Sequence, residues 1–261
     1  MSPFLVGAAE RVTEAASMLA MIGGMTPSDP RDTDLPVGAD KRRMVRAMFD
    51  RIAPRYDLLN RVMTFGMDMS WRRTTVASLR LPPGSLVADV ACGTGDFCRL
   101  LSGAGFRPIG LDFSWGMLAR ARTDDALVQA DALALPLGTG SVRGATSGFA
   151  LRNVLDLEAM FDELARVVCS SGRIALLEVA EPEMSLLRAG HRIYFNQVVP
   201  RLGALLSDAS AYRYLPRSVV YLPATARLVD MLKAAGFTDV TARRLFPGVV
   251  QVLSATRGAR P

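Results

Sequence analysis

From Lys41 onward, Met44, Val45, Met48, Phe49 and Ile52 recur at three- and four-residue steps, with Arg42, Arg43 and Arg46 between them. That spacing predicts an amphipathic helix. A second helical run covers about Met69 to Leu79 and stops at Pro82-Pro83-Gly84. Beyond it the period shortens. Apolar runs at Leu86–Ala91, Pro108–Leu111, Leu127–Ala130, Ala145–Phe149 and Arg173–Val179 read as strands. Helical runs at Asp96–Ser102, Met117–Arg122 and Leu157–Val168 fall between them, and a helix at Ala224–Ala235 precedes strands at Asp239–Leu245 and Gly248–Ala255. Strands alternating with helices predict an α/β, Rossmann-like fold, a mostly parallel sheet covered on both faces.

Residues 1–40 read differently. Pro27, Pro30 and Pro36 stand among Asp29, Asp32 and Asp34, which marks an N-terminal extension and linker ahead of a domain spanning 41–261. Within that domain, 41–80 is expected to form a helical cover and 182–223 a substrate-side insert. The stretch Ala15–Met25 is too short to cross a bilayer and no basic leader precedes it, so a cytoplasmic protein is expected.

Composition removes several chemistries. Half of the 261 residues are hydrophobic, enough for a sizeable core. Cys92, Cys98 and Cys169 make no even disulfide framework, and His191 is the lone histidine, so neither a zinc site nor a Ser-His-Asp triad is expected. The net charge is +6, but 41–80 holds ten Lys or Arg against three acids, a local +7. A basic zone of this kind suits an anionic ligand, an anionic membrane surface or simply a solvated helix face. No aromatic-basic module points to nucleic acid.

The strongest local signal is Val87-Ala-Asp-Val-Ala-Cys-Gly-Thr-Gly-Asp96. A strand running into Gly93-Thr94-Gly95 at a helix start brings backbone N–H groups close to a ligand. Asp112 follows nineteen residues after Gly93, where a carboxylate can accept both ribose hydroxyls of an adenosine. Cys98 stands where a dinucleotide fingerprint wants its third glycine. Asp89 and Asp96 beside the turn would repel a pyrophosphate but suit a cationic ligand, which favours S-adenosylmethionine. Asp131 with Ala132, after the third strand, can hold an adenine amino group or merely cap a turn.

The runs MFDRIAPRYDLLNRVMTFGMDMSWRR, DVACGTGD, GLDFSWGML, FALRNV and YRYLPRSVVYLP together resemble the ubiquinone and menaquinone C-methyltransferase family, collinearly over about Lys41 to Ala255. The resemblance implies a class I S-adenosylmethionine-dependent methyltransferase with a seven-stranded sheet, acting on a prenylated quinol ring. It places Thr94, Asp112, Asp131 and Ala132 on the family's cofactor positions; Asp89, Gly93, Gly95, Phe113 and Ser147 are expected beside them as further cofactor contacts, and no metal is expected. Three departures stand out. Gly148 occupies the family's serine position with Ser147 one place early, Ser170-Ser171-Gly172 replaces a Pro-Gly-Gly turn, and Gln251 and Val252 lie where a histidine is usual.

Catalysis is expected from Arg152 and Asn153, holding a water or a ring hydroxyl, with Tyr56 as an alternative proton acceptor; the structural alternative for Arg152 is an ion pair with Asp156 or Glu178. Tyr194, Phe195, Tyr212, Tyr214 and Tyr221 are expected partly to line an apolar channel. Two alternatives remain at this stage: a methyltransferase of another aromatic or polyketide, and a non-catalytic protein that keeps the fold for docking. The sequence leaves open whether the chain acts alone or as a homodimer.

Overall fold

The computed structural model describes residues 38–180 and 218–259. His191, Tyr194, Phe195, Tyr212, Tyr214 and most of the expected 182–223 insert lie outside the described residues. By contacts the chain divides into Met1–Leu35 and Pro36–Pro261, and the fold described here belongs to the second unit. It opens with α1 (Gly38–Ile52), a single turn at Ala53–Arg55, α2 (Tyr56–Met63) and α3 (Met67–Ser78). Strands and helices then alternate: β1 (Leu86–Val90), α4 (Asp96–Gly103), β2 (Arg107–Asp112), α5 (Trp115–Leu118), β3 (Ala126–Gln129), β4 (Val142–Gly148), α6 (Leu157–Val167) and β5 (Val168–Val179). Turns at Leu151–Asn153 and Val219–Tyr221, then α7 (Thr225–Ala234), β6 (Phe237–Leu245) and β7 (Val250–Arg257), complete the described elements.

The seven strands form one sheet in the order β3-β2-β1-β4-β5-β7-β6. β1 to β5 are parallel, and β7 runs antiparallel between β5 and β6. The expected doubly wound, seven-stranded α/β fold is therefore present. Consecutive strand residues point to opposite faces, and both faces are buried. Ala88, Ile174, Leu176 and Leu253 join a core with Met160, Phe161 and Leu164 of α6 and Leu228 of α7. Their neighbours Val87, Ala175, Leu177 and Val252 join a second core with Trp71 of α3 and Phe97 and Leu101 of α4. Buried on both sides, such strands read as continuous apolar runs rather than alternating ones.

Differences from the sequence reading have local causes. The expected helix Met117–Arg122 is only the single turn Trp115–Leu118, started by Ser114, whose hydroxyl accepts from Met117 N–H. It cannot continue because Arg122 N–H is drawn to the carbonyl of Thr94 at 3.1 Å. β4 ends at Gly148, because Phe149 turns the chain with φ +60°. Helix α2 escapes the periodicity because its apolar residues do not share a buried face: Leu59 is buried while Leu58 and Val62 are exposed. The 41–80 segment also divides. α3 is a core helix, with Trp71 and Val76 packed on the sheet, and α1 lies over the carboxyl ends of the strands.

Candidate active site

Strand order reverses between β1 and β4, and in open parallel sheets a ligand crevice opens beyond the carboxyl ends at such a point. A cavity lies there. Its walls are the ends of β1 (Val90, Ala91, Gly93), β2 (Leu111, Asp112, Phe113) and β4 (Gly148, Phe149, Ala150), the loop after β3 (Ala130 to Leu133), and α1 through Arg42, Val45, Arg46 and Phe49. Ala91 and Phe149 both hold left-handed backbones, φ +58° and +60°. Non-glycine residues in that region cost energy and cluster at functional sites. Here they turn two adjacent strands out of the sheet at the cavity rim.

The turn after β1 is shaped for close approach. Gly93 has φ +58°, and no atom lies within 4 Å of where its Cβ would be, so its backbone is open to the cavity. Asp112 accepts from Gly93 N–H and from Ser114 N–H, each at 2.8 Å, through different carboxylate oxygens. Burial pushes its pKa up to about 6, against the lowering effect of those N–H donors. Each oxygen keeps a further lone pair for an incoming hydroxyl. Asp131 accepts from Leu133 N–H at 3.0 Å, so it does cap its turn, and it pairs with Arg42 of α1 at 2.5 Å. Phe113 lies under two guanidiniums of α1, Arg42 at 4.8 Å and Arg46 at 5.0 Å from the ring centre. Ala132 completes this wall.

Tyr56 and Asn153 reach the same cavity from the other side. The Tyr56 hydroxyl has its pKa raised by burial, only partly offset by the nearby Arg72 guanidinium. It is therefore held as a phenol, suited to hydrogen bonding and poorly suited to accepting a proton.

Five expected site residues lie elsewhere. Arg152 does not line the cavity; its guanidinium is buried against Glu178, and Nε donates to Ser218 Oγ at 3.2 Å. Glu178 is fully buried on β5, and its carboxylate takes the Arg152 guanidinium as its cation. Asp89 is fully buried, accepting from Thr146 Oγ1 at 2.9 Å and from Cys98 Sγ at 3.5 Å, and desolvation raises its pKa to about 7. It supports the turn from below instead of meeting a ligand. Thr94 is buried, its hydroxyl donating to Asp57 of α2. Gly95 starts α4 with φ +81°, and a Cβ there would press on Thr123 Cγ2 at 3.1 Å. Ser147 is buried with an Oγ that has no hydrogen-bond partner among the described residues.

The contacts that fasten the cover were missed in the sequence. Asp50 of α1 accepts from Ser114 Oγ at 2.5 Å and Gly116 N–H at 2.9 Å. Arg61 of α2 bridges Asp68 and the buried Asp96 of the glycine turn. Nothing local marks these pairs, since Asp50 and Asp96 meet partners far along the chain and Arg61 meets Asp68 across the turn between two helices. Among the described residues no His, Cys, Asp and Glu group is arranged to hold a metal, and no helix is long and apolar enough to cross a membrane.

Residues 37–257 match the ubiE/COQ5 methyltransferase family. The chain belongs to that family. A ubiquinone/menaquinone biosynthesis C-methyltransferase of Syntrophotalea carbinolica is 39% identical over 221 residues, 81% of this chain and 93% of that one. A demethylmenaquinone methyltransferase of Roseiflexus sp. is 41% identical over 230 residues, 84% of this chain and 96% of that one. Among solved structures, a methyltransferase from Thermotoga maritima aligns with TM-score 0.57 at 20% identity, covering 81% of this chain and 99% of that one. A phosphoethanolamine N-methyltransferase of Haemonchus contortus in complex with S-adenosyl-L-methionine aligns with TM-score 0.55 at 14% identity, covering 71% and 52%. These likenesses establish the methyltransferase fold.

The departures of this family member have structural reasons. At Gly148 a Cβ would sit 2.5 Å from Phe97 Cε2 and 3.0 Å from a terminal nitrogen of Arg72, so the packing beneath the cavity admits no side chain there. Gln251 is buried on β7, accepting from Thr225 Oγ1 at 2.9 Å and donating to the carbonyl of Val179 at 3.3 Å. It ties α7 to β5 and does not line the cavity.

Proposed function

We propose that this family member transfers the methyl group of S-adenosylmethionine to a ring carbon of a prenylated quinol, a demethylmenaquinol-like substrate. One observation carries the reading: a single cavity joins the open Gly93 turn, Asp112 and Asp131 to an apolar end formed by Phe49, Phe149 and Leu155, where Tyr56 and Asn153 supply the polar groups. The names carried by relatives at 39% and 41% identity support the same substrate class.

The residues present fit the cofactor. The Gly93 backbone is open on its cavity side, Asp112 keeps lone pairs that would meet two ribose hydroxyls, and Asp131, beside Ala132 and Phe113 in the cavity wall, would take the adenine amino group. When bound, S-adenosylmethionine supplies an electrophilic methyl on a cationic sulfur. Asn153 orients the ring hydroxyl, or the water that takes its proton, and Tyr56 donates a hydrogen bond to the ring oxygen. Loss of that proton raises electron density on the ring carbon, and once that carbon is methylated its own hydrogen must leave as a proton to water for the ring to regain aromaticity. Arg152 contributes from behind, anchoring the turn that carries Asn153. Holding the two reactants in line is the main source of rate, since a near-attack geometry supplies several kcal/mol.

A prenylated substrate lives in lipid, and the cover is suited to meet an anionic membrane surface. Arg51 at the end of α1, Arg55 in the turn that follows, Leu58 and Val62 of α2 and Phe65 just beyond it are all exposed. Basic side chains would meet the anionic headgroups while the apolar ones dip into the headgroup boundary, without spanning the bilayer. Incubation with methyl-labelled S-adenosylmethionine and a membrane lipid extract should yield a labelled menaquinone-type quinone. Label found only in a water-soluble aromatic would transfer the protein to another substrate, and no cofactor binding by calorimetry would reduce it to a docking protein.

A further inference from the structure

Lys41 is the one strongly buried lysine or arginine of α1. It is only 5% exposed, whereas its neighbours Arg42 and Arg43 lie on the surface. Its Nζ donates to the carbonyl of Arg152 at 3.3 Å and to that of Val154 at 3.4 Å, and it sits 3.8 Å above the centre of the Tyr221 ring. Burying an ammonium is costly unless its donors are met. Two N–H groups find carbonyls, and the aromatic face offsets part of the remaining charge. An apolar side chain would pack α1 here at lower cost, so the ammonium itself needs a reason.

The two carbonyls bracket Asn153. The turn Leu151–Asn153 has its own hydrogen bonds, Asn153 N–H to the Ala150 carbonyl at 2.8 Å and Val154 N–H to the Leu151 carbonyl at 3.2 Å. It can therefore form without Lys41. On one side the Arg152 side chain ties the turn to β5 through Glu178. On the other, Lys41 ties its carbonyls to α1, the helix that also brings Arg42, Arg46 and Phe49 to the cavity. We propose that Lys41 is a positioning residue for methyl transfer: by gripping the carbonyls on either side of Asn153 it aims that side chain into the cavity and sets it against the cover helix. The proposal rests on the reading of the cavity as the methyl-transfer site.

Lys41→Met keeps the length and apolar bulk of the stem and removes the donors. The full-length variant should bind S-adenosylmethionine within about threefold of the parent while kcat for quinol methylation falls about 10- to 100-fold, as small misplacements do. Amide exchange at Arg152, Asn153 and Val154, read by mass spectrometry, should quicken. Because Lys41 acts through Asn153, the Lys41→Met/Asn153→Ala double variant should be no slower than Asn153→Ala alone. Unchanged exchange at 152–154, or losses that multiply in the double variant, would overturn the proposal. Quickened exchange in a protein whose parent methylates no quinol would sink the functional reading and leave the positioning contact standing. If Lys41→Met does not fold, Lys41→Gln, which keeps a shorter N–H donor group without the charge, takes the same measurements. Failure of both to fold makes Lys41 a residue of the fold and overturns the proposal.

Discussion

The two ends of the cavity are built in different ways. At the β1–β2–β3 end, each group lies within three residues of its strand's end: Gly93 after β1, Asp112 at the end of β2, Asp131 after β3. Backbone geometry fixes them, and the acids are met by main-chain N–H groups at 2.8 to 3.0 Å. At the β4 end the pieces come from far apart. Tyr56 rides on α2, Asn153 on a three-residue turn held by Glu178 of β5, and the carbonyls beside it are gripped by Lys41 of α1. The first end is a local property of the fold, while the second is a tertiary assembly. Substitutions should therefore damage binding at one end and geometry or stability at the other.

The largest expected effect is on stability at the assembled end. Arg152→Ala leaves Glu178 charged and fully buried without its cation. Removing one partner of a buried pair typically costs about 3–5 kcal/mol. Urea unfolding should show a loss of that order, and Glu178→Ala should match it. A loss below about 1 kcal/mol would mean the pair is not buried in solution, and Arg152 would return to the catalytic list.

At the local end, Asp112→Ala should weaken S-adenosylmethionine binding by about 1.5–3 kcal/mol or more, since a charged acceptor of hydrogen bonds is lost. Calorimetry reads this directly, and unchanged affinity would remove Asp112 from the site. Its pH dependence sharpens the point. The folded pKa is raised from 3.8 to about 6 by burial, so the folded protein binds more protons than the unfolded chain between those values. This group's contribution to stability of the free protein therefore declines as pH rises through that window. Cofactor affinity should run the opposite way, full above about pH 6 and falling below it, because the ionised carboxylate is the acceptor. Affinity that is flat from pH 5 to 7 would contradict this.

The smallest effect is expected where the cover meets the local end. The Arg42–Asp131 pair is half exposed on its arginine side, and exposed pairs are worth about 0–1 kcal/mol. Arg42→Ala should leave the melting temperature nearly unchanged and S-adenosylmethionine affinity the same or slightly higher, since Asp131 is released. A tenfold loss of affinity would instead make Arg42 a binding residue.

The same contrast explains what the sequence disclosed. The order of strands and helices was legible because buried parallel strands and the amphipathic helices between them leave short-range signatures, as in Leu157, Met160, Phe161 and Leu164 of α6. Gly93, Asp112 and Asp131 line the cavity, and that placement was legible because it follows from position after a strand. Asp89 and Thr94 occupy equally suggestive positions, yet they turn inward. A strand residue's direction depends on which face the next layer covers, and Thr146 and Asp57 lie far off in sequence. For Arg152 the sequence offers two places, at the cavity or in an ion pair, and the pair with Glu178 on β5 is the one formed, away from the cavity lining. Helix α2 was invisible because its apolar residues Leu58 and Val62 face outward.

The central claim is that one cavity serves both ligands, with the cofactor bound at the local end and the ring presented at the assembled end. Asn153→Ala tests it most directly, by calorimetry with S-adenosylmethionine alongside turnover of a demethylmenaquinol. The account predicts cofactor affinity within about twofold of the parent and turnover lower by about 10²-fold, the scale of a lost acid–base or orienting group. Turnover equal to the parent, or cofactor binding lost together with turnover, would contradict it.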